Sequence, residues 1–326
     1  MARLFWTQKQ DIGPSARGDS GMAYDSAAAR MVLFGGRGLA SEGLNDTWEW
    51  DGEDWTQVED IGPPRRSGHG MAYDSTRRRT VLFGGATSSG PFADTWEWDG
   101  ESWTQVADTG PSARSGHAMT FDSARKRVIL VGGHGGSTAL GDTWSWDGSE
   151  WTQEEDAGLP PRAAHRIVYD TIRNRIVLFG GSSFSSAKQW VDTSDWLHPF
   201  SGYYTTVMVT TPLADTWEFD GTRWTHVADT GPAARFLSGF AYDGAEAVLF
   251  GGITSGDTDG ATWSWNGKFW TQRQDMGPGG RAAMAMAYDA GRKVVVLFGG
   301  WTAGGQTIFG DTWELSQRDV APAGGG

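Results

Sequence analysis

Short apolar runs recur along the chain, each ended by paired glycines: "MVLFGG" at 31–36, "TVLFGG" at 80–85 and "VILVGG" at 128–133. The same run returns at 176–181, 247–252 and 295–300, so the pairs close at Gly36, Gly85, Gly133, Gly181, Gly252 and Gly300. A β-branched run of this length stopped by glycine predicts a buried strand. After each pair comes a segment in which tryptophan alternates with a polar residue, as in "DTWEWDGEDWTQ" from Asp46 to Gln57. Alternation places both indoles of such a strand on one face of its sheet. A "DG" step then predicts a hairpin turn into a further short strand, "DWTQ". Before each apolar run, an arginine opens a strand of small and apolar residues, as in "ARSGHAMTFD" at 113–122. Each unit therefore reads as four antiparallel strands, with "DxGxxxR" between units.

The intervals between glycine pairs are 49, 48, 48, 71 and 48 residues, giving six units, one of them carrying an insertion. A four-stranded sheet with an aromatic face cannot cover that face alone; radial stacking covers it, and tryptophan fills the wedge between sheets. The expected architecture is an all-β, six-bladed propeller occupying 1–317. The chain opens on an orphan fourth strand, "LFWTQ" at 4–8, and its last unit stops at a third strand, "DTWEL" at 311–315. The first strand is thus expected to complete the sixth blade and leave no free edge. The tail 318–326 is expected to be disordered.

Composition narrows the function classes. The net charge of −13 opposes nucleic-acid binding, which needs a basic surface. No run is long and apolar enough for a membrane span. Cysteine is absent, which removes disulfides, thiolate metal sites and a cysteine nucleophile. The first ten residues, "MARLFWTQKQ", lack an apolar signal region, so a cytoplasmic location is expected.

Paired glycines after an apolar strand, then a tryptophan in each of two following strands, at a period near fifty, resemble the kelch repeat over roughly residues 3–315. A sialidase-type propeller is the nearest rival, but its aspartate box spaces Asp and Gly by one residue and leaves "LFGG" unexplained. The kelch resemblance implies a propeller but not one activity, since such domains serve as binding modules, enzymes and structural units. Kelch copper-radical oxidases need a tyrosine–cysteine cross-link, excluded here. An iron site of the specifier type, "ExxxDxxxH", fails because Glu42 and Asp46 are followed by Trp50. No cofactor is expected.

A residue present in all six units serves the blade, and one that breaks the pattern is free to serve a site. Arg17, Arg66, Arg114, Arg162, Arg235 and Arg281 are expected to ring one mouth of the channel. The resemblance implies an anion-binding funnel there, because kelch adaptors of ubiquitin ligases grip acidic peptides with arginines in similar positions. Six out of six instead favours neutralisation by repeat aspartates such as Asp46 and Asp94. In blade five Ala261 replaces that aspartate, so Arg235, or its neighbour Arg281, is expected to keep donors for a ligand. His69, His117 and His165 share one register, where other blades have Ser20, Ser238 and Met284. Three imidazoles have the chemistry for a transition metal, but packing between blades is favoured and no metal is assigned.

Blade four inserts thirty-three residues, 182–214, between its second and third strands, at the arginine-bearing end. They include Trp190, Trp196 and Tyr203 with Asp192 and His198, too aromatic for disorder, and "YYTTVMVTT" predicts one strand of a hairpin. Arg37, Phe236 and Trp301 also break the pattern at this mouth, as do His134 and Asp19, the latter standing where blades two and three have Gly68 and Gly116. The leading expectation is a binding module that takes a protein or small metabolite at this face, through Arg37, Trp190, Trp196, Tyr203, Arg235, Phe236, Arg281 and Trp301. The alternative is a cofactor-independent isomerase or cyclase under a 182–214 lid, with acid–base groups among His134, His198, Asp19 and Asp192.

Overall fold

The computed structural model describes residues 2–9, 12–39, 43–59, 61–136, 138–154, 158–192, 202–273 and 277–319. Six four-stranded antiparallel sheets stand in a ring. Blade one illustrates the pattern, with an inner strand Gly21–Asp25, then Arg30–Phe34, Thr47–Trp50 and an outer strand Trp55–Glu59. The other inner strands are Gly70–Asp74, Ala118–Asp122, Arg166–Asp170, Gly239–Tyr242 and Ala285–Asp289, and all six touch their neighbours in a closed circle around the axis. The apolar runs are second strands, flanked within their sheet and covered by a blade on either side. Val32, Leu33 and Phe34 are accordingly fully buried, as are Val81, Leu82 and Phe83.

The sixth sheet is completed from the other end of the chain. Ala2–Gln8 pairs antiparallel with Thr312–Asp319, Ala2 opposite Asp319. That strand runs past 315 to Asp319, so residues 318 and 319 belong to the blade and not to a disordered tail. The rest of the expected tail, 320–326, lies outside the described residues. The turn after the third strand also differs from the expected two-residue hairpin. Four residues, Asp51 to Asp54, connect Trp50 to Trp55, and the Asp51 carboxylate accepts from the backbone N–H of Glu53 and Asp54, both at 2.8 Å.

Tryptophan joins the blades through both ends of its ring. The outer-strand indole packs in the wedge between blades, and its N–H donates to a third-strand threonine of the preceding blade. Trp103 reaches Thr47, Trp151 reaches Thr95, Trp224 reaches Thr143 and Trp270 reaches Thr216, at 2.9–3.0 Å. Trp6 donates to Thr262 at 2.9 Å and Trp55 to Thr312 at 2.8 Å, carrying the series across the closure. Apolar burial supplies the adhesion, and the polar handle fixes the register of each blade on the last. The paired glycines turn the second strand back over the channel mouth. At Gly36 (φ 94°) a Cβ would lie 2.8 Å from the Gly18 carbonyl, so side chains are excluded.

The insertion forms a separate two-stranded sheet, Ser182–Asp192 against Gly202–Pro212. Among the described residues no helix is long and apolar enough to cross a membrane.

Candidate functional site

Just before each inner strand, one residue takes the left-handed conformation: Asp19, Gly68, Gly116, Ala164, Leu237 and Ala283, with φ between 54° and 66°. Each donates its backbone N–H to the carbonyl of its counterpart one blade back. Asp19 bonds Ala283, Gly68 bonds Asp19, Gly116 bonds Gly68, Ala164 bonds Gly116, Leu237 bonds Ala164 and Ala283 bonds Leu237, all at 2.7–2.9 Å. Six peptides thus form a head-to-tail hoop at the mouth of the channel. Four of them carry side chains in a conformation that L-residues disfavour, strain which the closed hoop holds in place.

The six repeat arginines lie buried within the blades and do not line the mouth. Arg17 donates to both oxygens of Asp46 at 2.6 and 2.8 Å and to the Gly35 carbonyl; Arg66, Arg114 and Arg162 repeat this with Asp94, Asp142 and Asp215. Burial pushes these four carboxyls up, but the arginine bonds outweigh it and hold them below the ordinary value. The expectation that Arg235 and Arg281 face a ligand is not met. Arg235 is 1% exposed and pairs at 2.8 Å with Asp259, which replaces the missing partner from two residues earlier. Arg281 is 2% exposed, forks onto Asp311 and stacks 3.8 Å from the Phe309 ring. Blade five retains one sign of the displacement. In the other five blades the aspartate also accepts from the tryptophan two residues on, as Asp94 does from Trp96, whereas the buried Trp263 N–H has no partner.

The three histidines lie between blades. His69 Nε2 accepts from the Gly21 N–H and His117 Nε2 from the Gly70 N–H, each at 3.1 Å, with the rings set edge-on to Phe34 and Phe83 of the preceding blade. His165 faces blade three in the same way, with its ring against the Val131 backbone. Burial lowers all three well below 6.5, His69 to about 3, so all are neutral at pH 7.

Outside the hoop the structure brings several pattern-breaking residues together. Arg37, half exposed, lies 4.4 Å over the Trp301 ring and directs Nε to the Asp19 carboxylate at 3.3 Å. Burial raises the Asp19 carboxyl, against the pull of Arg37 and Arg166. Phe236, partly exposed, pairs its backbone with Ile253 on the same rim. His134 Nε2 meets the Ser115 hydroxyl at 3.1 Å and Nδ1 lies 3.3 Å from the Gly136 carbonyl. Its ring stands edge-on to Phe184 at the base of the inserted hairpin. From Ser185 to Gln189 the hairpin is exposed. Its strands include the backbones of Trp190, Asp192 and Tyr203, whereas Trp196 and His198 lie outside the described residues.

Below the hoop a polar compartment of about 120 Å³ is lined by Asp19, Ser20, His69, His117, Leu237, Met284 and Arg166, among others. It meets a larger vestibule of about 470 Å³ that opens at the opposite end of the inner strands. Residues 2–181, more than half of the chain, match the model of the KLHDC2/KLHL20/DRC7 kelch-repeats domain.

The chain belongs to the kelch-repeat family. The match ends at the glycine pair that precedes the inserted hairpin. No curated protein matches the chain. Within this kelch propeller, the repeat-wide arginines, aspartates, threonines and tryptophans are accounted for by blade geometry. Sequence reasoning missed Arg166 and the vestibule, although a signal existed: the equivalent positions are Gly21, Gly70, Ala118, Gly239 and Ala285, all too small to enter the channel.

Proposed function

We propose that this kelch propeller is a binding module that engages a protein partner at the mouth bearing Asp19, Arg37, Phe236, Trp301 and the 182–212 hairpin. The observation that carries this reading is the hairpin itself. Its two strands pair with each other as a separate sheet, and Ser185–Gln189 and Thr210–Thr211 are exposed. A two-stranded ribbon has marginal stability in water, and one that presents open edges is suited to a partner that covers them. Across the mouth from it, where blades one and six meet, Arg37 is held by Trp301 on one side and Asp19 on the other, a pre-ordered guanidinium of the kind that anchors interfaces.

The test is affinity purification followed by quantitative mass spectrometry, using the intact chain, Arg37→Ala, and a variant in which a short glycine–serine loop replaces 183–211. The expected result is a partner recovered by the intact chain and depleted at least about tenfold by each change, equivalent to about 1.4 kcal/mol. The loop variant should melt within about 2 °C of the intact protein, because it removes no blade hydrogen bond. A partner retained equally by all three proteins, or no partner enriched by the intact chain, would refute the assignment.

A further inference from the structure

Arg166 departs from the plan of the propeller. It starts the inner strand of blade four in a column otherwise held by glycine and alanine, and its side chain enters the channel towards Asp19 of blade one, on the opposite side of the ring. The guanidinium donates from Nη1 to the His165 carbonyl at 3.2 Å and, among the described residues, forms no ion pair within 4.0 Å, unlike the six arginines inside the blades. One carboxylate, Asp19, shares the compartment with it. Asp19 is already engaged by Arg37 at 3.3 Å, and the neighbouring His69, His117 and His165 are neutral. Asp19 attracts Arg166 from across the compartment without reaching it, so the guanidinium keeps N–H donors available in a narrow space of low dielectric, where hydrogen bonds to an anion are favoured.

The surroundings define the rest of the ligand. Met22, Met71, Met119, Ile167, Phe240 and Met286 line both the Arg166 compartment and the open vestibule, so the two are continuous. Polarizable, unbranched methionine adapts to the shape of an aliphatic chain. The vestibule is the wider of the two spaces, so a ligand that enters from it meets the arginine last. We propose that the channel is a binding site for an aliphatic monocarboxylate, its carboxylate on the Arg166 guanidinium and its apolar tail among the methionines. A carboxylate suits the planar fork of arginine and fits a compartment of about 120 Å³.

Isothermal titration of the full chain with octanoate, 1-octanol and acetate tests this. Octanoate should bind saturably at one site. Octanol, which lacks the charge, and acetate, which lacks the tail, should each bind at least about tenfold more weakly. Arg166→Ala places in blade four the residue that blades three and six carry there, so it should melt like the parent and lose octanoate affinity at least tenfold; Arg166→Lys should fall between. Deleting 183–211 should leave octanoate binding intact, which separates this site from the partner-binding mouth. No octanoate binding by the intact chain, equal binding of octanol or acetate, or unchanged binding by Arg166→Ala would overturn the proposal.

Discussion

His69, His117 and His165 show how a residue with metal-binding chemistry becomes a packing piece. Each is at most 6% exposed, and His69 and His117 use their outer nitrogen to accept a backbone N–H of the preceding blade. That arrangement requires the neutral ring, which gives the fold a pH dependence. Burial holds the folded-state value of His69 at about 3 and those of His117 and His165 well below 6.5. As the pH falls below about 6.5, the unfolded chain takes up protons that the folded chain refuses. The contribution is therefore complete above pH 6.5 and is lost at about 1.4 kcal/mol per unit for each histidine as the pH drops towards the folded value. Urea unfolding at pH 7 and 5.5 should show a marked loss, and the triple variant His69→Ser, His117→Ser, His165→Ser should flatten it, since blades one and five carry serine there. The paired aspartates act lower on the scale. With folded values below the ordinary 3.8, their contribution is present above that pH and lost as the pH falls through the folded values.

Within a single strand, displacing the aspartate of blade five separates two functions that one carboxylate performs elsewhere. Asp94 receives both the Arg66 fork and the Trp96 N–H, whereas Asp259 reaches Arg235 and leaves Trp263 unsatisfied. Trp96→Phe should therefore cost about 1 kcal/mol by stripping a bond from Asp94, while Trp263→Phe, which removes an orphaned donor, should be neutral or slightly stabilising in the same denaturation experiment. The repeat pattern marked blade five as irregular through Ala261, but strict register concealed the compensation, because Asp259 precedes the expected position and a bend in the connection brings it back. Arg235 therefore reads as free in the sequence and is buried in the fold, whereas Arg281 is buried against Asp311, the aspartate at the regular repeat position. Arg37, Trp301 and Asp19 were legible as departures from the repeat, yet their contact depends on loops from different blades.

For the whole molecule, closure is the decisive event. Ala2–Gln8 supplies the outer strand of blade six and delivers Trp6 to Thr262 of blade five, so the two ends of the chain meet in one sheet. Removing residues 2–9 should uncover the edge of Thr312–Asp319 and the wedge beside it. The expected outcome is a loss of several kcal/mol in stability and association through the bared edge, detected by light scattering and thermal melting. An unaltered monomer would show that the ring does not depend on this strand.

Read alone, the sequence determined the number of blades, their strand order, the closure and the role of tryptophan, because each follows from a local period repeated six times. It also determined which residues depart from the repeat. Only the tertiary structure decided which departures meet. The Asp19 hoop and the clasp of Arg37 between Trp301 and Asp19 join residues of neighbouring blades, and the reach of Arg166 joins opposite sides of the ring. Proximity across a closed ring depends on its curvature and on the path of its loops, neither of which is written in the period of any one blade.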